Sequence, residues 1–186
     1  MGLRPIKMAD AREWSRLRRQ NASWLKPWEA TLPPGSRGTP PTVRAMIRDL
    51  RRQARTGKAL PFVVTLDDVP VGQVTVNGIT WGSARWAQVG YWVESAHAGE
   101  GIIPTAVALA VDHCFFGLGL HRIEIAIRPE NTASLRVVEK LGFRLEGAAP
   151  RYLHIDGGWR DHQLYALTRE EVPQGVLGRW LRASAS

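Results

Sequence analysis

The chain has 186 residues, a net charge of +8 and an ordinary composition, with 44% hydrophobic and 23% charged residues. This length suits one domain with a single core, and no apolar run approaches the roughly 20 residues that a membrane span needs. The N-terminus lacks the apolar stretch of a secretory signal, and one cysteine, Cys114, allows no internal disulfide. We expect a single domain over residues 1–186 in a reducing, cytoplasmic compartment.

Positive charge is concentrated in the first third of the chain. Residues 1–58 hold 14 Lys and Arg against 4 Asp and Glu, a net charge of +10, whereas residues 59–186 hold 11 against 13, a net charge of −2. A basic region attracts acidic partners such as RNA, a ribosomal surface or an acidic peptide. A solvated, arginine-rich helix without a partner is the alternative, and charge alone does not decide between the two.

The basic region, residues 1–58, predicts one short strand and two helices. The strand is Leu3–Ile6, the first helix is Ala9–Gln20, and a second helix follows Thr42 and runs to about Thr56. The Pro- and Gly-rich residues 32–41 between the helices predict a loop. The second helix has one apolar stripe and one cationic stripe on the opposite face, and the cationic stripe consists of Arg44, Arg48, Arg51 and Arg55.

Residues 59–170 predict a mixed α/β sheet, and residues 171–186 a C-terminal tail with a short helix at Val176–Leu181. The predicted strands are Phe62–Leu66, Val71–Val76, Trp86–Glu94, His121–Arg128, Phe143–Leu145, Arg151–Ile155 and Gln163–Leu167. The predicted helices between them are Ile102–Phe116 and Thr132–Leu141. Three strands in a meander precede the first of these helices, so the order favours a mixed sheet over a doubly wound parallel one.

The first candidate site is a glycine-containing turn between a strand and a helix, Val93-Glu-Ser-Ala-His-Ala-Gly-Glu-Gly-Ile102. Gly99 and Gly101 permit a tight turn that exposes backbone amides. The helix start that follows adds unpaired N–H groups and the positive end of the helix dipole, which together suit a pyrophosphate. The segment matches neither a Walker loop nor a Rossmann fingerprint. An ordinary turn remains the alternative.

The second candidate site is Asn131-Thr-Ala-Ser134, at the start of a helix that ends in Leu-Gly142-Phe143. Asn131 and Ser134 are three residues apart, so they face the same way on the first helical turn. Simple helix capping is the alternative explanation for both.

Taken together, the two segments resemble the GCN5-related N-acetyltransferase superfamily over roughly residues 60–170. The resemblance implies a mostly antiparallel sheet with a splayed parallel pair at its centre, Trp86–Glu94 and His121–Arg128, flanked by about four helices. It also implies acetyl-coenzyme A (acetyl-CoA) as cofactor, with its pyrophosphate on the turn and its pantetheine beside the Asn-x-x-Ser helix. The implied cofactor contacts are Trp92, Val93, His97, Gly99, Glu100, Gly101, Ile102, Ile103, Asn131, Ser134 and Lys140. One departure is Ala96, where members often carry Gln or Arg; His97 is the substitute contact.

A finer resemblance involves two further segments. Asn21-Ala-Ser-Trp-Leu-Lys-Pro-Trp-Glu29 and the hairpin Tyr152–Leu167 are similar to segments of the ribosomal-protein-alanine N-acetyltransferases. This similarity implies an acceptor that is a protein N-terminal amine, classically on a small-subunit ribosomal protein. The expected acceptor-binding residues are Trp24, Trp28, Glu29 and Tyr91. Core packing is the alternative for the two tryptophans.

Acetyl transfer to an amine needs a neutral amine, a stabilised oxyanion and a protonated leaving thiolate. We expect a backbone amide near Trp92 or Val93 to stabilise the oxyanion, and Ser134 to assist the sulfur. In the related leucine and serine branch a glutamate is the base, and its place is Leu153 here. Glu94, Tyr152, His154 or a water relay are the remaining candidates. Because an α-amine has a pKa of about 7.8, roughly a third is neutral at pH 7.5, so a weak base suffices.

Other functions remain open from the sequence. The same fold could acetylate a small amine such as a polyamine or an antibiotic, although such a cation does not suit a basic acceptor region. A non-enzymatic ribosome- or RNA-associated protein would keep the charge without the chemistry. A general dinucleotide-binding enzyme is disfavoured by the strand order. No metal site is expected.

Overall fold

A seven-stranded mixed sheet forms the centre of the computed structural model, which describes residues 1–36 and 41–184. Its strands are β1 (Gly2–Pro5), β2 (Leu60–Leu66), β3 (Val69–Thr80), β4 (Trp86–Val93), β5 (Arg122–Ile127), β6 (Arg144–Ile155) and β7 (Gly158–Thr168). The spatial order is β1-β2-β3-β4-β5-β7-β6. Among the pairings of the described residues, β4–β5 is parallel and the others are antiparallel. The predicted mixed sheet and its central parallel pair are confirmed.

The described part of the chain contains six α-helices. They are α1 (Ala11–Gln20), α2 (Ala22–Leu25), α3 (Val43–Arg55), α4 (Ile102–Asp112), α5 (Thr132–Leu141) and α6 (Val176–Ser184). The expectation of about four helices was too low, because α2 is a single turn after α1 and α6 packs on α4 and α5. The predicted helix over residues 102–116 ends early as an α-helix and continues as a π turn at His113–Gly117.

The two faces of the sheet carry different helices. The main core lies between one face and helices α4, α5 and α6, and it includes Val64, Val107, Ile123 and Leu141. A smaller core of Ile6, Ala11, Ile47 and Val63 lies between the opposite face and α1 with α3. Neighbouring residues of a strand point to opposite faces, which explains why Val63 and Val64 belong to different cores.

Helix α3 begins as the sequence predicted. The Thr42 hydroxyl accepts a hydrogen bond from the Ala45 amide at 3.2 Å, which satisfies one of the free N–H groups of the first turn. Ile47, on the apolar face of the helix opposite the cationic stripe, is fully buried. The cationic stripe lies on the outer side, where Arg44, Arg48 and Arg55 are exposed.

The sequence prediction was wrong at β6, which is one long strand rather than the two strands Phe143–Leu145 and Arg151–Ile155. The strand contains two register shifts against β7, between Leu145 and Gly147 and between Ala149 and Leu153. Arg151 has a positive φ of 50° within the second irregularity. Because β6 is at the edge of the sheet, it tolerates Pro150 and these bulges without losing its partner.

The predicted division into residues 1–58, 59–170 and 171–186 stays a prediction. Residues 37–40 of the predicted Pro/Gly-rich loop lie outside the described residues. Within residues 1–36 and 41–184, no helix is long and apolar enough to cross a membrane.

Candidate active site

The parallel strands β4 and β5 separate after their first three residue pairs. Trp86, Ala87 and Gln88 pair with the β5 residues Arg122, Ile123 and Glu124, and the pairing ends there. A cavity of about 170 Å³ occupies the gap beyond. Its lining consists of Trp28, Val89, Gly90, Tyr91, Ile125, Ala126, Ile127, Arg128, Asn131, Ser134, Ile155 and His162. This cavity, called the cleft below, has the splayed geometry that the resemblance implies.

The cleft is lined from both faces of the sheet. Tyr91 lies on the α5 face, because its hydroxyl donates to the Ser134 carbonyl at 3.4 Å. The next residue, Trp92, points to the other face, where its ring contacts Trp14 of α1 at 6.0 Å between centroids. The same alternation places Arg128 on the α1 face, and its guanidinium donates to the Pro27 carbonyl at 2.7 Å. We call these two sides the α5 side and the α1 side of the cleft.

The glycine-containing turn opens directly into α4. Gly99 and Gly101 have positive φ angles of 90° and 78°, a conformation that L-residues with a side chain rarely adopt. Gly101 is the N-cap of α4 and, as a glycine, has no side chain that could cap the helix. The amides of the first turn of α4 are therefore not used by a capping side chain, and a helix N-terminus of this kind suits an anion such as a pyrophosphate.

The turn also carries charged side chains that a phosphate would meet. The His97 ring lies between two carboxylates, with Nδ1 2.9 Å from Glu100 and Nε2 3.5 Å from Glu94. These carboxylates compete with any phosphate for the ring, so the predicted roles of His97 and Glu100 require this cluster to rearrange. Both roles stay predictions.

The Asn-x-x-Ser segment forms the start of α5. The Asn131 side chain accepts a hydrogen bond from the Ser134 amide at 3.1 Å, so the capping explanation holds for this side chain. Both residues nevertheless line the cleft. The Ser134 side chain also interacts with the neighbouring Tyr91 phenol. Burial raises the pKa of this phenol far above its ordinary value, although the hydrogen bond to the Ser134 side chain acts in the opposite direction.

The other predicted cofactor contacts differ in their exposure. Val93, Ile102 and Ile103 belong to the main core, so only their backbone is available for a ligand. Trp92 packs on the α1 side. Lys140 lies on α5, with its ammonium 5.6 Å from the centre of the Trp180 ring.

Of the predicted acceptor residues, Trp28 and Tyr91 line the cleft. Trp24 instead donates from Nε1 to the Val93 carbonyl at 3.1 Å, and Glu29 forms an ion pair with Arg18. The Arg18 guanidinium lies 5.2 Å from the ring centres of both Trp14 and Trp92. Trp24 and Glu29 therefore hold the segment in place next to the cleft, and their direct contact with an acceptor stays a prediction.

The two segments of the finer resemblance contact each other. An isolated β-bridge joins Ala30 to Ile155, and the Thr31 hydroxyl is 2.8 Å from Nδ1 of His154. At the other end, the Asn21 side-chain oxygen accepts hydrogen bonds from the amide and hydroxyl of Ser95 at 2.8 and 2.9 Å. The segment over residues 21–31 is thus attached both to the end of β4 and to the β6–β7 hairpin.

None of the candidate bases named from the sequence lines the cleft in the described structure. The Glu94 carboxylate lies near His97, His154 is buried against Thr31, and the Tyr152 hydroxyl accepts from Gln88 at 3.3 Å. Leu153 is 42% exposed. A catalytic role for Glu94 or Tyr152 stays a prediction.

Sequence reasoning missed three residues beside the predicted site. His162 and Arg128 line the α1 side of the cleft, and Trp180 of α6 lies next to the turn, because a Cβ atom on Gly101 would be 3.5 Å from its ring. His162 belongs to the hairpin of the finer resemblance, and it lies on the same face of β7 as the buried Ala166, four residues further along. This spacing was the available signal that the side chain of His162 is buried, but it does not reveal which strand or cavity the side chain faces.

Comparison with known proteins identifies the family. The family described as "Acetyltransferase (GNAT) domain" matches residues 1–144, and the chain belongs to it. The chain is therefore an acyltransferase, and acetyl-CoA is its acyl donor.

Individual relatives agree with this assignment. A structure described as Mycobacterium smegmatis RimJ in complex with CoA-disulfide is 45% identical, with a TM-score of 0.91, and the match covers 98% of this chain and 88% of that chain. "Probable N-acetyltransferase YjcK" of Bacillus subtilis is 33% identical over 92% of this chain and 96% of its own length. The Escherichia coli "[Ribosomal protein uS5]-alanine N-acetyltransferase" is 30% identical over 84% of this chain and 81% of its own length.

The described residues fit coenzyme A. A Cβ atom added at Gly99 would meet nothing within 4 Å, and one added at Gly101 would meet the Trp180 ring at 3.5 Å, while the Ser134 side chain borders the cleft. When bound, acetyl-CoA supplies the thioester carbonyl that an amine attacks. The α5 side of the cleft would hold the cofactor, which leaves the α1 side to the acceptor.

Proposed function

We propose that this enzyme acetylates the N-terminal α-amine of a protein, and that the acceptor is a ribosomal protein. One observation carries the proposal. The cleft is lined from both faces of the sheet, with Asn131 and Ser134 on one side and Trp28 on the other. An acceptor that enters from the α1 side meets a donor held on the α5 side.

The likeness to the uS5-alanine enzyme supports the choice of acceptor. The two segments that carry the finer resemblance are joined to each other at Ala30 and Ile155, beside the cleft. Together they form part of the α1 side of the cleft, and both are similar to segments of the ribosomal-protein-alanine N-acetyltransferases.

The charge of the cleft disfavours a polyamine or another polycation as acceptor. None of the described residues that line it is Asp or Glu, and the permanent charge among them is the Arg128 guanidinium, which pairs with Glu130 outside the lining at 3.1 Å. The guanidinium of Arg128 lies 5.4 Å from the centre of the Trp28 ring. A single α-amine, which loses its charge near neutral pH, suits such an environment better than a permanent polycation.

The residues on the α5 side have defined tasks in this proposal. The Ser134 hydroxyl donates a hydrogen bond to the departing sulfur, and a backbone amide near Trp92 or Val93 stabilises the oxyanion. Tyr91 stays protonated and holds the first turn of α5 through the Ser134 carbonyl.

The cationic stripe of α3 extends the proposal to a partner in the cytoplasm. Helix α3 packs on the face of the sheet to which the α1 side of the cleft belongs. Arg44, Arg48, Arg51 and Arg55 have no ion-pair partner within residues 1–36 and 41–184. Such a surface attracts an acidic ribosomal surface or peptide by long-range steering.

The test uses peptides that match the N-termini of ribosomal proteins from the source organism. Each peptide is incubated with enzyme and acetyl-CoA, and the modified nitrogen is located by mass spectrometry. We expect acetylation of the α-amine of at least one peptide, and none when that amine is blocked and only an internal lysine remains. Turnover of spermidine in preference to every peptide would contradict the proposal.

A further inference from the structure

His162 is a buried histidine at the acceptor side of the cleft. It is 4% exposed and lines the cleft. The following residue, Gln163, pairs with Ile127 of β5, so His162 lies beside Arg128 and faces the α1 side. The edge of its ring contacts the Tyr152 ring, with 5.6 Å between centroids.

The hydrogen bonding of His162 defines which ring nitrogen carries the proton. Nδ1 is 3.0 Å from the carbonyl oxygen of Arg160. A carbonyl can only accept, so Nδ1 donates and the neutral ring has an unprotonated Nε2. His162 therefore presents a proton acceptor in the wall of the cleft.

The surroundings of His162 favour the neutral ring. Burial is the largest cause that lowers its pKa, and the nearby positive charge of Arg128 lowers it further. The Arg160 carbonyl and the carboxylates of Glu130 and Asp161 act in the opposite direction, and the net shift is downward. At neutral pH the ring is able to take up a proton.

The other titratable groups that line the cleft cannot accept a proton at neutral pH. Among its described lining residues, Arg128 is a permanent cation and the Tyr91 phenol stays protonated. His154 differs from His162, because its Nδ1 is engaged by Thr31 on the adjoining segment and it does not line the cleft.

We propose that His162 is the catalytic base, which takes the proton of the acceptor amine at Nε2. This inference rests on the proposed function, since it needs an amine on the α1 side. One N–H proton of the acceptor ammonium moves to Nε2, and the freed lone pair attacks the thioester carbon to form the new N–C bond. As the C–S bond breaks, the nitrogen loses its second proton, which passes through the Ser134 hydroxyl or water to the departing thiolate, so that the products are the amide and the thiol. The imidazolium returns its proton to solvent, with Arg160 still accepting from Nδ1–H.

The first test compares His162→Asn with wild type. An Asn amide group can keep the donor to the Arg160 carbonyl but has no basic nitrogen. We expect kcat with an acceptor peptide to fall by about 10²-fold, and the remaining activity to rise with pH as free amine accumulates. Calorimetry should give an unchanged affinity for acetyl-CoA, which separates loss of a base from loss of the fold. The control is His121→Asn, an exposed histidine at the opposite end of β5, which should keep wild-type kinetics.

The second test observes the ring itself. Nitrogen-15 NMR of histidine-labelled enzyme should show Nδ1 protonated and Nε2 unprotonated for the resonance that is lost in His162→Asn, with a pKa below the ordinary 6.5. Wild-type turnover retained in His162→Asn, or a proton on Nε2 in the neutral ring, would overturn the role of His162 alone. Wild-type enzyme that acetylates no α-amine would instead overturn the proposed acceptor, and the role of His162 with it.

Discussion

The two sides of the cleft are constructed differently. The α5 side is formed by two short segments, the turn at Gly99–Gly101 and the helix start at Asn131–Ser134, and each segment takes its shape from its own residues. The α1 side combines residues that are far apart in the chain, Trp28, Arg128 and His162. It is held together by contacts such as the Ala30–Ile155 bridge.

This difference separates the two substrates physically. A cofactor site made of local backbone geometry persists when side chains elsewhere change. An acceptor site that depends on several separate segments can change its specificity through any of them. Substitutions on the α5 side should therefore alter cofactor binding or the chemical step, whereas those on the α1 side should alter the use of the acceptor.

The largest effect in this comparison is expected from Ser134→Ala. Removal of the hydroxyl leaves the departing sulfur without its donor, so kcat should fall by roughly 10²-fold while the KM for acetyl-CoA changes much less. Steady-state kinetics with both substrates varied measure this. Thr132→Ala, an exposed hydroxyl in the same helical turn, is the matched control. A change confined to the KM for acetyl-CoA would reduce Ser134 to a binding contact.

The next largest effect is expected from Gly101→Val. A side chain at a φ of 78° strains the turn and crowds the space in front of α4. Calorimetry should show acetyl-CoA affinity lowered by at least about tenfold, or ~1.4 kcal/mol. Gly119→Val introduces the same kind of strain at a φ of 72° in a different loop, and it should keep wild-type affinity. Equal affinities in the two variants would place the phosphates elsewhere.

A smaller effect on the opposite side is expected from Thr31→Val. This change removes the hydroxyl that is bonded to His154 and that accepts from the Gly157 amide at 3.1 Å. A hydrogen bond contributes about 0.5–1.5 kcal/mol, so the acceptor KM should rise roughly threefold to tenfold. Acetyl-CoA affinity should stay the same, as it should in the control Thr80→Val, an exposed threonine at the end of β3. A parallel loss of cofactor affinity would show that the two sides are coupled.

The smallest effect is expected from charge reversal on α3, Arg44→Glu with Arg48→Glu. Arg52 is left intact because it forms an ion pair with Asp49. Steering acts on association, so kcat/KM for an intact ribosomal protein should fall by about twofold to fivefold at low salt and recover as salt rises. A short neutral peptide should be used equally well by both enzymes. No difference at low salt would mean that the stripe is only a solvated helix face.

The sequence was a good guide wherever one segment determines its own structure. Thr42 caps α3, Asn131 caps α5, and Gly101 begins α4 in a left-handed conformation. Each depends on residues within a few positions. The same reasoning was wrong at β6, where the irregular middle of the strand has no regular alternation and residues 150–152 have no register partner, although pairing with β7 continues on both sides of it.

The sequence predicted the local parts of the candidate site well and the catalytic base poorly, again because only the former depend on neighbouring residues. Its glycines and the Asn-x-x-Ser turn could be recognised in the sequence, but the base candidates were chosen by proximity along the chain and none of them lines the cleft. His162 has no feature in its own segment that sets it apart from His154. The two differ in which carbonyl or hydroxyl each ring meets, and that depends on how the segments pack.

The sequence by itself determined most of the strands and helices, the turns and caps, and the acetyltransferase family, because these follow from local backbone preferences and short motifs. Only the tertiary structure decided which residues meet across the cleft. The pairing of β7 with β5 brings His162 beside Arg128, and the docking of α6 brings Trp180 beside Gly101. The first contact arises from backbone hydrogen bonds between two strands far apart in the chain, and the second from the burial of apolar surface between distant segments. No short stretch of sequence specifies either one.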